Sequence, residues 1–186
     1  MKNIFKLSVI SVILVTLFSL MVYVTAQQML RQGVNSTPAE LTADVIYKLE
    51  SGVSPKSVML PPTAEISKSI SPFVIILDQN KNVLVSSATL DGSVPVIPQG
   101  TFDWVEKSGQ DRVTWQPQPG VREALVIDKY SASTTSGYVV AGASLKESES
   151  TIDKLGRNIL VGWFVINAFA FASIVFLSTE KLWKKK

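Results

Sequence analysis

Two long runs without a charged residue lie near the ends of the chain and constrain it most. They cover residues 7–24 and 159–177, which are 18 and 19 residues. At about 1.5 Å per residue each helix would reach roughly 27 to 29 Å, close to the roughly 30 Å of bilayer hydrocarbon. The sequence therefore predicts two transmembrane helices around one domain. The predicted segments are a tail (1–6), a transmembrane helix (7–25), an extracytoplasmic domain with juxtamembrane helices (26–158), a second transmembrane helix (159–178) and a basic tail (179–186).

The charges predict the orientation. The two short tails carry six lysines and one acidic residue, Glu180, and cationic flanks stay on the cytoplasmic side. We therefore expect a two-pass protein of the cell membrane with both termini cytoplasmic. Residues 25–158 hold twelve Lys and Arg against fourteen Asp and Glu, a net charge of −2. The formal charge of +3 thus comes from lysines at the bilayer surface, and no nucleic-acid partner is expected.

The first run has a second interpretation. Val24-Thr25-Ala26 satisfies the small-residue rule of a signal-peptidase site before Gln27. Cleavage there would leave a single C-terminal anchor. An uncleaved anchor is favoured because an ordinary signal-peptide core is only about 7 to 15 residues long.

The composition disfavours most enzyme chemistry. The chain has no Cys and no His, so disulfides, ordinary zinc sites and Ser-His-Asp triads are excluded. No Gly-rich phosphate loop is present. We therefore expect no enzyme and no cofactor, and a carboxylate-based enzyme has only scattered Asp and Glu in its favour. A disulfide-free exported domain is typical of bacteria or archaea.

Helical and extended patterns alternate in the central segment. Capping residues and apolar spacing predict helices at Pro38–Ser51, after the box Thr37 to Glu40, and from Thr101 to Gly109, with a short helix at 64–69. β-branched runs between turn residues predict five strands, at 73–77, 83–85, 112–115, 124–127 and 137–143.

A second capping box, Ser144 to Glu147, follows the fifth strand. A helical stripe then continues into the second apolar run without a proline. The pattern predicts one long helix over residues 145–180, which leaves the domain and crosses the bilayer.

This order of elements resembles the extracytoplasmic PAS-like domains of the Cache type, or PDC sensors, of chemoreceptors and sensor kinases. The similar stretches are residues 73–87, Trp115, 121–124 and 137–142. The resemblance implies an α+β fold in which a PAS-like five-stranded antiparallel sheet has helices on one face and a small-molecule pocket. Such relatives carry an output domain after the second anchor, whereas about nine residues follow it here. Output would then need a membrane signalling partner or a homodimer.

Five residues are candidate ligand contacts. Arg122 could hold a carboxylate bidentately, which suggests a small carboxylate or amino-acid-like ligand. Trp104, Trp115 and Tyr138 could line an apolar pocket, and Ser86 lies where the second strand ends. Each has a plainer interpretation: a solvated cation, core aromatics and a turn serine.

Three residues of the second apolar run are candidates for helix association. Asn167 places an amide at mid-membrane depth, and Ala168 and Ala172 provide small side chains that allow close approach.

Two functions compete on this basis. One is an extracytoplasmic small-molecule sensor that signals through a separate membrane partner. The alternative is a structural or accessory membrane subunit that uses the fold as a protein-interaction platform.

Overall fold

The computed structural model describes residues 2–58, 60–133 and 135–183. Contacts divide the chain into two compact units, one with the described residues of 1–30 and 150–186 and the other with those of 31–149. The helices are α1 (Lys2–Gly33), α2 (Ser36–Glu50), α3 (Gln99–Ser108) and α4 (Lys146–Trp183), with a 3-10 turn at Pro55–Ser57. The strands are β1 (Ala64–Glu65), β2 (Phe73–Asp78), β3 (Val83–Ser86), β4 (Ala88–Thr89), β5 (Gln110–Gln118), β6 (Val121–Ser131) and β7 (Ser136–Ser144).

A five-stranded antiparallel sheet forms the centre of unit 31–149. Its strand order is β3-β2-β7-β6-β5. The long strands β6 and β7 pair from Glu123–Ser144 to Ser131–Ser136, and β2 pairs along the other edge of β7. The predicted α+β fold with five antiparallel strands and two long apolar helices is confirmed.

Both faces of the sheet are covered. One layer packs α2 against the sheet through Val45, Leu49, Val74, Ile76 and Tyr130, among others. In the other layer, Phe102 and Val105 of α3 pack against the alternate positions of the strands, including Phe73, Ile75, Leu125 and Ile127. Since side chains alternate along a strand, these are the two faces of one sheet. The expectation of helices on one face only is therefore wrong for this chain.

The segment predicted as a short helix at 64–69 is instead strand β1 followed by a turn. β1 runs parallel to β4. The backbone amide of Ala64 donates to the backbone oxygen of Ser87 at 2.7 Å, and the backbone amide of Ile66 donates to the backbone oxygen of Thr89 at 2.9 Å. Ile66 is thereby held in the α3-side core. A partner 23 or more residues away decides this conformation, and local propensity could not indicate it.

The predicted N-terminal caps also differ. Helix α2 begins at Ser36 after Asn35, which makes no side-chain cap, and α3 begins after Pro98. Thr101 lies inside α3, and its hydroxyl donates to the Pro98 oxygen. The stop at Gly109 is as predicted, because its φ of +85° is a conformation that favours glycine.

Unit 1–30 with 150–186 consists of α1 and most of α4. Among the described residues, two helices are long and apolar enough to cross a membrane, one within residues 5–50 and one within Lys146–Phe176, and the apolar windows of both are unburied. This suggests membrane association, although a signal sequence near the N-terminus has the same character. The indole of Trp163 donates to Thr16 Oγ1 at 2.8 Å and joins α4 to α1. Residues 184–186 of the predicted basic tail lie outside the described residues.

Candidate functional site

The junction between the sheet and α4 is fastened at two points. β7 ends at Ser144 and α4 begins at Lys146, so that one residue separates them. The amide of Leu145 donates to the Arg122 oxygen at 2.9 Å, and the Arg122 guanidinium pairs with Glu149 in the first turn of α4. We call residues 122, 123, 144, 145 and 149 the joint. The first turn of α4 is thus attached to β6 as well as to β7.

The Arg122 side chain is partly exposed and forms an ion pair. This side chain and that of Glu149 are 46% and 42% exposed, and Arg122 lies between the buried residues Val121 and Glu123 on β6. Its charge is already matched by the carboxylate of Glu149.

The predicted aromatic contacts differ in burial. Trp115 and Tyr138 belong to the α3-side core, whereas Trp104 is 57% exposed on α3. The structure does not bring these three side chains into one site with Arg122.

Ser86 serves the backbone locally. Its hydroxyl donates to the Ala88 oxygen at 2.9 Å and accepts from the Ala88 amide at 3.0 Å. These two bonds stabilise the bend between β3 and β4, as expected of a hydroxyl residue at a strand exit.

Tyr138 takes part in a polar cluster at the C-terminal half of α3. Its hydroxyl donates to Glu106, which also pairs with Lys129 at 2.5 Å. These contacts lower the pKa of Glu106, with the Lys129 hydrogen bond as the largest cause. Burial, together with the hydrogen bond and the charge of Glu106, raises the pKa of Tyr138 to about 12. Nearby Lys81 pairs with Asp103 at 3.5 Å. Each charged side chain of this cluster is therefore paired within the domain.

A shallow open groove lies at the opposite end of β6 from the joint. Its volume is about 450 Å³. The lining residues come from the end of β2, the β2–β3 turn, β3, the end of β6, the β6–β7 connection and the start of β7: Asp78, Gln79, Asn80, Leu84, Tyr130, Ala132, Ser133, Thr135 and Ser136. Arg122 is eight residues before Tyr130 on β6, which corresponds to roughly 26 Å at about 3.3 Å per residue. Arg122 therefore cannot serve this groove.

Asp78 is the charged residue among the described lining residues of the groove. It accepts hydrogen bonds from the Asn82 amide at 2.8 Å and from Asn82 Nδ2 at 2.9 Å. These bonds lower its pKa, and the carboxylate stays ionised near neutral pH. A carboxylate offers about four lone-pair positions, so two bonds leave capacity for a ligand.

Hydroxyl and amide groups complete the groove. The Gln79 side-chain amide donates to the Ser136 hydroxyl. Tyr130 is buried, and burial raises the pKa of its hydroxyl, an effect that the side chain of Thr135 partly offsets. The described lining thus combines one anion with uncharged polar groups and suits a polar molecule that carries donors.

Glu123 is the residue that sequence reasoning missed. It is 1% exposed, and its Oε1 has no hydrogen-bond partner among the described residues. Burial raises its pKa to about 7, and the Ser144 hydroxyl offsets part of this effect. The sequence contains a signal for this burial, because Glu123 lies on the same face of β6 as the apolar residues Val121 and Leu125. Sequence reasoning considered only the exposed neighbour, Arg122.

The three candidates for helix association on α4 differ in their surroundings. Nδ2 of Asn167 donates to the Trp163 oxygen of its own helix at 2.8 Å, and its Oδ1 is buried without a partner among the described residues. Ala168 and Ala172 are exposed on α4. Their role in helix association stays a prediction.

Comparison of the chain with protein-family models, curated proteins and solved structures finds no match.

Proposed function

We propose that this chain is a membrane-anchored sensor subunit whose domain, residues 31–149, lies outside the membrane and passes its state through α4 to a separate membrane partner. The observation that carries the proposal is the joint. A strand of the sheet leads through one residue into a 38-residue helix, and β6 holds the first turn of that helix at Arg122. A shift of β6 against β7 would therefore move the helix that enters the bilayer.

The five-stranded antiparallel sheet agrees with the PAS-like resemblance. Both termini would be cytoplasmic, and the partner would be another membrane protein or a second copy. A ligand can drive such a shift only through different affinities for two states of the domain.

The groove is the proposed ligand site. Asp78 and the surrounding hydroxyl and amide groups favour a small amine, an amino acid held by its ammonium group, or a polyol. A simple carboxylate is disfavoured because its described lining includes no cation. The expected ligand class therefore shifts from carboxylates to amines and polyols.

Thermal unfolding of the full chain in detergent micelles, with and without a panel of amines, amino acids and polyols, tests the proposal. A ligand that binds only the folded state raises the unfolding midpoint, because it stabilises that state by RT ln(1 + [L]/Kd). Ala132→Phe should fill the groove and abolish the shift without removing a polar group. Ala43→Phe, on the exposed side of α2, is the matched control and should retain it. A shift that survives Ala132→Phe would place the ligand elsewhere.

A second function has its own support. Both layers of the sheet are filled by buried side chains, and the groove is shallow. A filled core favours an accessory subunit that uses the domain as a protein-interaction platform. Co-purification from membranes discriminates between the two: a stoichiometric partner complex, together with no ligand-induced shift across the panel, favours the platform.

A further inference from the structure

The joint contains a buried carboxyl group, that of Glu123, which belongs to none of the ion pairs among the described residues. Glu123 pairs directly with Trp115 on β5 and with Ser144 on β7. Neither neighbour carries a charge. A neutral carboxylic acid is tolerated in such a place, whereas an ionised one without a partner is costly to bury.

The charged groups of the neighbouring elements are directed elsewhere or already paired. Arg122 faces the other side of β6 and pairs with Glu149 of α4. Asp103 and Glu106 of α3 pair with Lys81 and Lys129. The other charged residues of α3, β5 and β6 and of the start of α4 lie away from Glu123. Asp111 and Arg112 are opposite Ile127 and Val126, Asp128 is opposite Gln110 and accepts a hydrogen bond from its side chain, and Lys107, Lys146 and Glu147 are exposed. On β2, the residue paired with the adjacent part of β7 is Phe73, opposite Gly142.

We propose that Glu123 is a proton-binding site that makes the joint respond to pH. The protonated side chain fits between β5 and β7, and the ionised side chain requires water to enter beside Ser144. Ser144 precedes Leu145, whose amide bonds to the oxygen of Arg122, the neighbour of Glu123. A change at the Glu123–Ser144 pair therefore reaches the attachment of α4 one residue away. This inference concerns the joint alone and holds for either function proposed above.

Infrared spectroscopy of the full chain in detergent, labelled with ¹³C-glutamate, tests the protonation. We expect a carboxylic-acid carbonyl band that persists at about pH 6, where exposed glutamates are ionised, and that disappears with a midpoint near 7. The band should be absent in Glu123→Gln and unchanged in Glu147→Gln, an exposed glutamate of α4. No band in the wild-type chain at about pH 6 would overturn the proposal, and this titration requires no variant to fold.

Hydrogen exchange tests the link to α4. Exchange of the amides of residues 145–149 is compared between the wild-type chain and Glu123→Gln at about pH 5.5 and about pH 8, so that the intrinsic pH dependence of exchange cancels. We expect equal rates at the lower pH and at least several-fold faster exchange in the wild-type chain at the higher pH. Equal rates at both pH values would show that ionisation of Glu123 does not affect the first turn of α4 and would overturn the proposal.

Discussion

The backbone oxygen of Arg122 accepts a hydrogen bond from the amide of Leu145 at 2.9 Å, just where β7 gives way to α4. The Arg122 side chain adds the ion pair to Glu149. One residue therefore contributes two attachments of different kinds, and only the ion pair depends on its side chain.

Arg122→Gln tests what the side chain does. Both partners of the ion pair are more than 40% exposed, and exposed pairs contribute about 0 to 1 kcal/mol. We expect the free energy of unfolding to fall by less than about 1 kcal/mol, and any ligand-induced shift of the unfolding midpoint to persist. Thermal unfolding in micelles with and without ligand measures both quantities. Loss of the ligand shift in Arg122→Gln, with a retained shift in Ala132→Phe, would restore Arg122 as a ligand contact.

Gly137→Ala should destabilise the domain severely. Gly137 lies opposite Asp78 in the β2–β7 pair, and a Cβ at this position would overlap the backbone oxygen of Leu77. Backbone cannot move aside as a flexible side chain can, so we expect a loss of about 1 to 3 kcal/mol or more. Chemical denaturation of the full chain in micelles measures the loss.

Gly100→Ala is the matched control. Gly100 is in the first turn of α3, and nothing lies within 4 Å of the Cβ position. Alanine is the better helix former, so stability should be unchanged or rise by up to about 1 kcal/mol. Similar losses in both variants would mean that the β2–β7 register is not as described.

The sequence predicts those parts of the fold that depend on local pattern. The β-branched runs give β2, β3, β5, β6 and β7, and the uninterrupted helical stripe gives α4. The sequence predicts a helix at the position of strand β1, because the strand's partner, β4, lies far along the chain. The covering of both sheet faces depends on where α2 and α3 dock, which spacing within each helix does not specify.

The candidate site was less predictable than the fold. Residue type suggests one site for Arg122, Trp104 and Trp115, but Arg122 is exposed on β6, Trp104 is exposed on α3, and Trp115 is buried in the α3-side core. Glu123 escaped notice because its burial depends on its cross-strand neighbours, Trp115 and Ser144. The burial of Glu123 therefore follows from pairing across strands, which residue type alone does not indicate.

Stability should fall as pH rises through neutrality. The folded pKa of Glu123 is about 7, against an ordinary value of 4.5, so the folded state binds the proton more tightly than the unfolded state. Its contribution is fully present below about pH 4.5 and is lost as pH rises through about 7. The full loss corresponds to about 3 kcal/mol. Unfolding midpoints at about pH 5, 6, 7 and 8 measure it.

Two variants separate this effect from other titrations. Glu123→Gln should flatten the pH dependence between about pH 5 and 8, and Glu147→Gln should leave it as in the wild-type chain. The lowered pKa values of Asp78 and Glu106 act in the opposite sense, because their contribution is lost only as pH falls below the ordinary carboxyl range. A wild-type midpoint that is constant or rises from about pH 5 to 8 would contradict a protonated Glu123.

The absence of cysteine allows the membrane topology to be tested with single introduced thiols. Ser93→Cys lies in an exposed loop of the domain, and Asn3→Cys lies in the N-terminal tail. If the tail lysines hold both termini in the cytoplasm, a membrane-impermeant maleimide added to intact cells should label position 93 and should label position 3 only after lysis. Labelling of position 3 in intact cells would show that the N-terminus lies outside the membrane, which contradicts the predicted orientation.

Mass spectrometry of the mature chain tests whether the first apolar run is retained. A chain that begins at Gln27 would leave α4 as the single anchor, and the proposed signal would then depend on that helix alone.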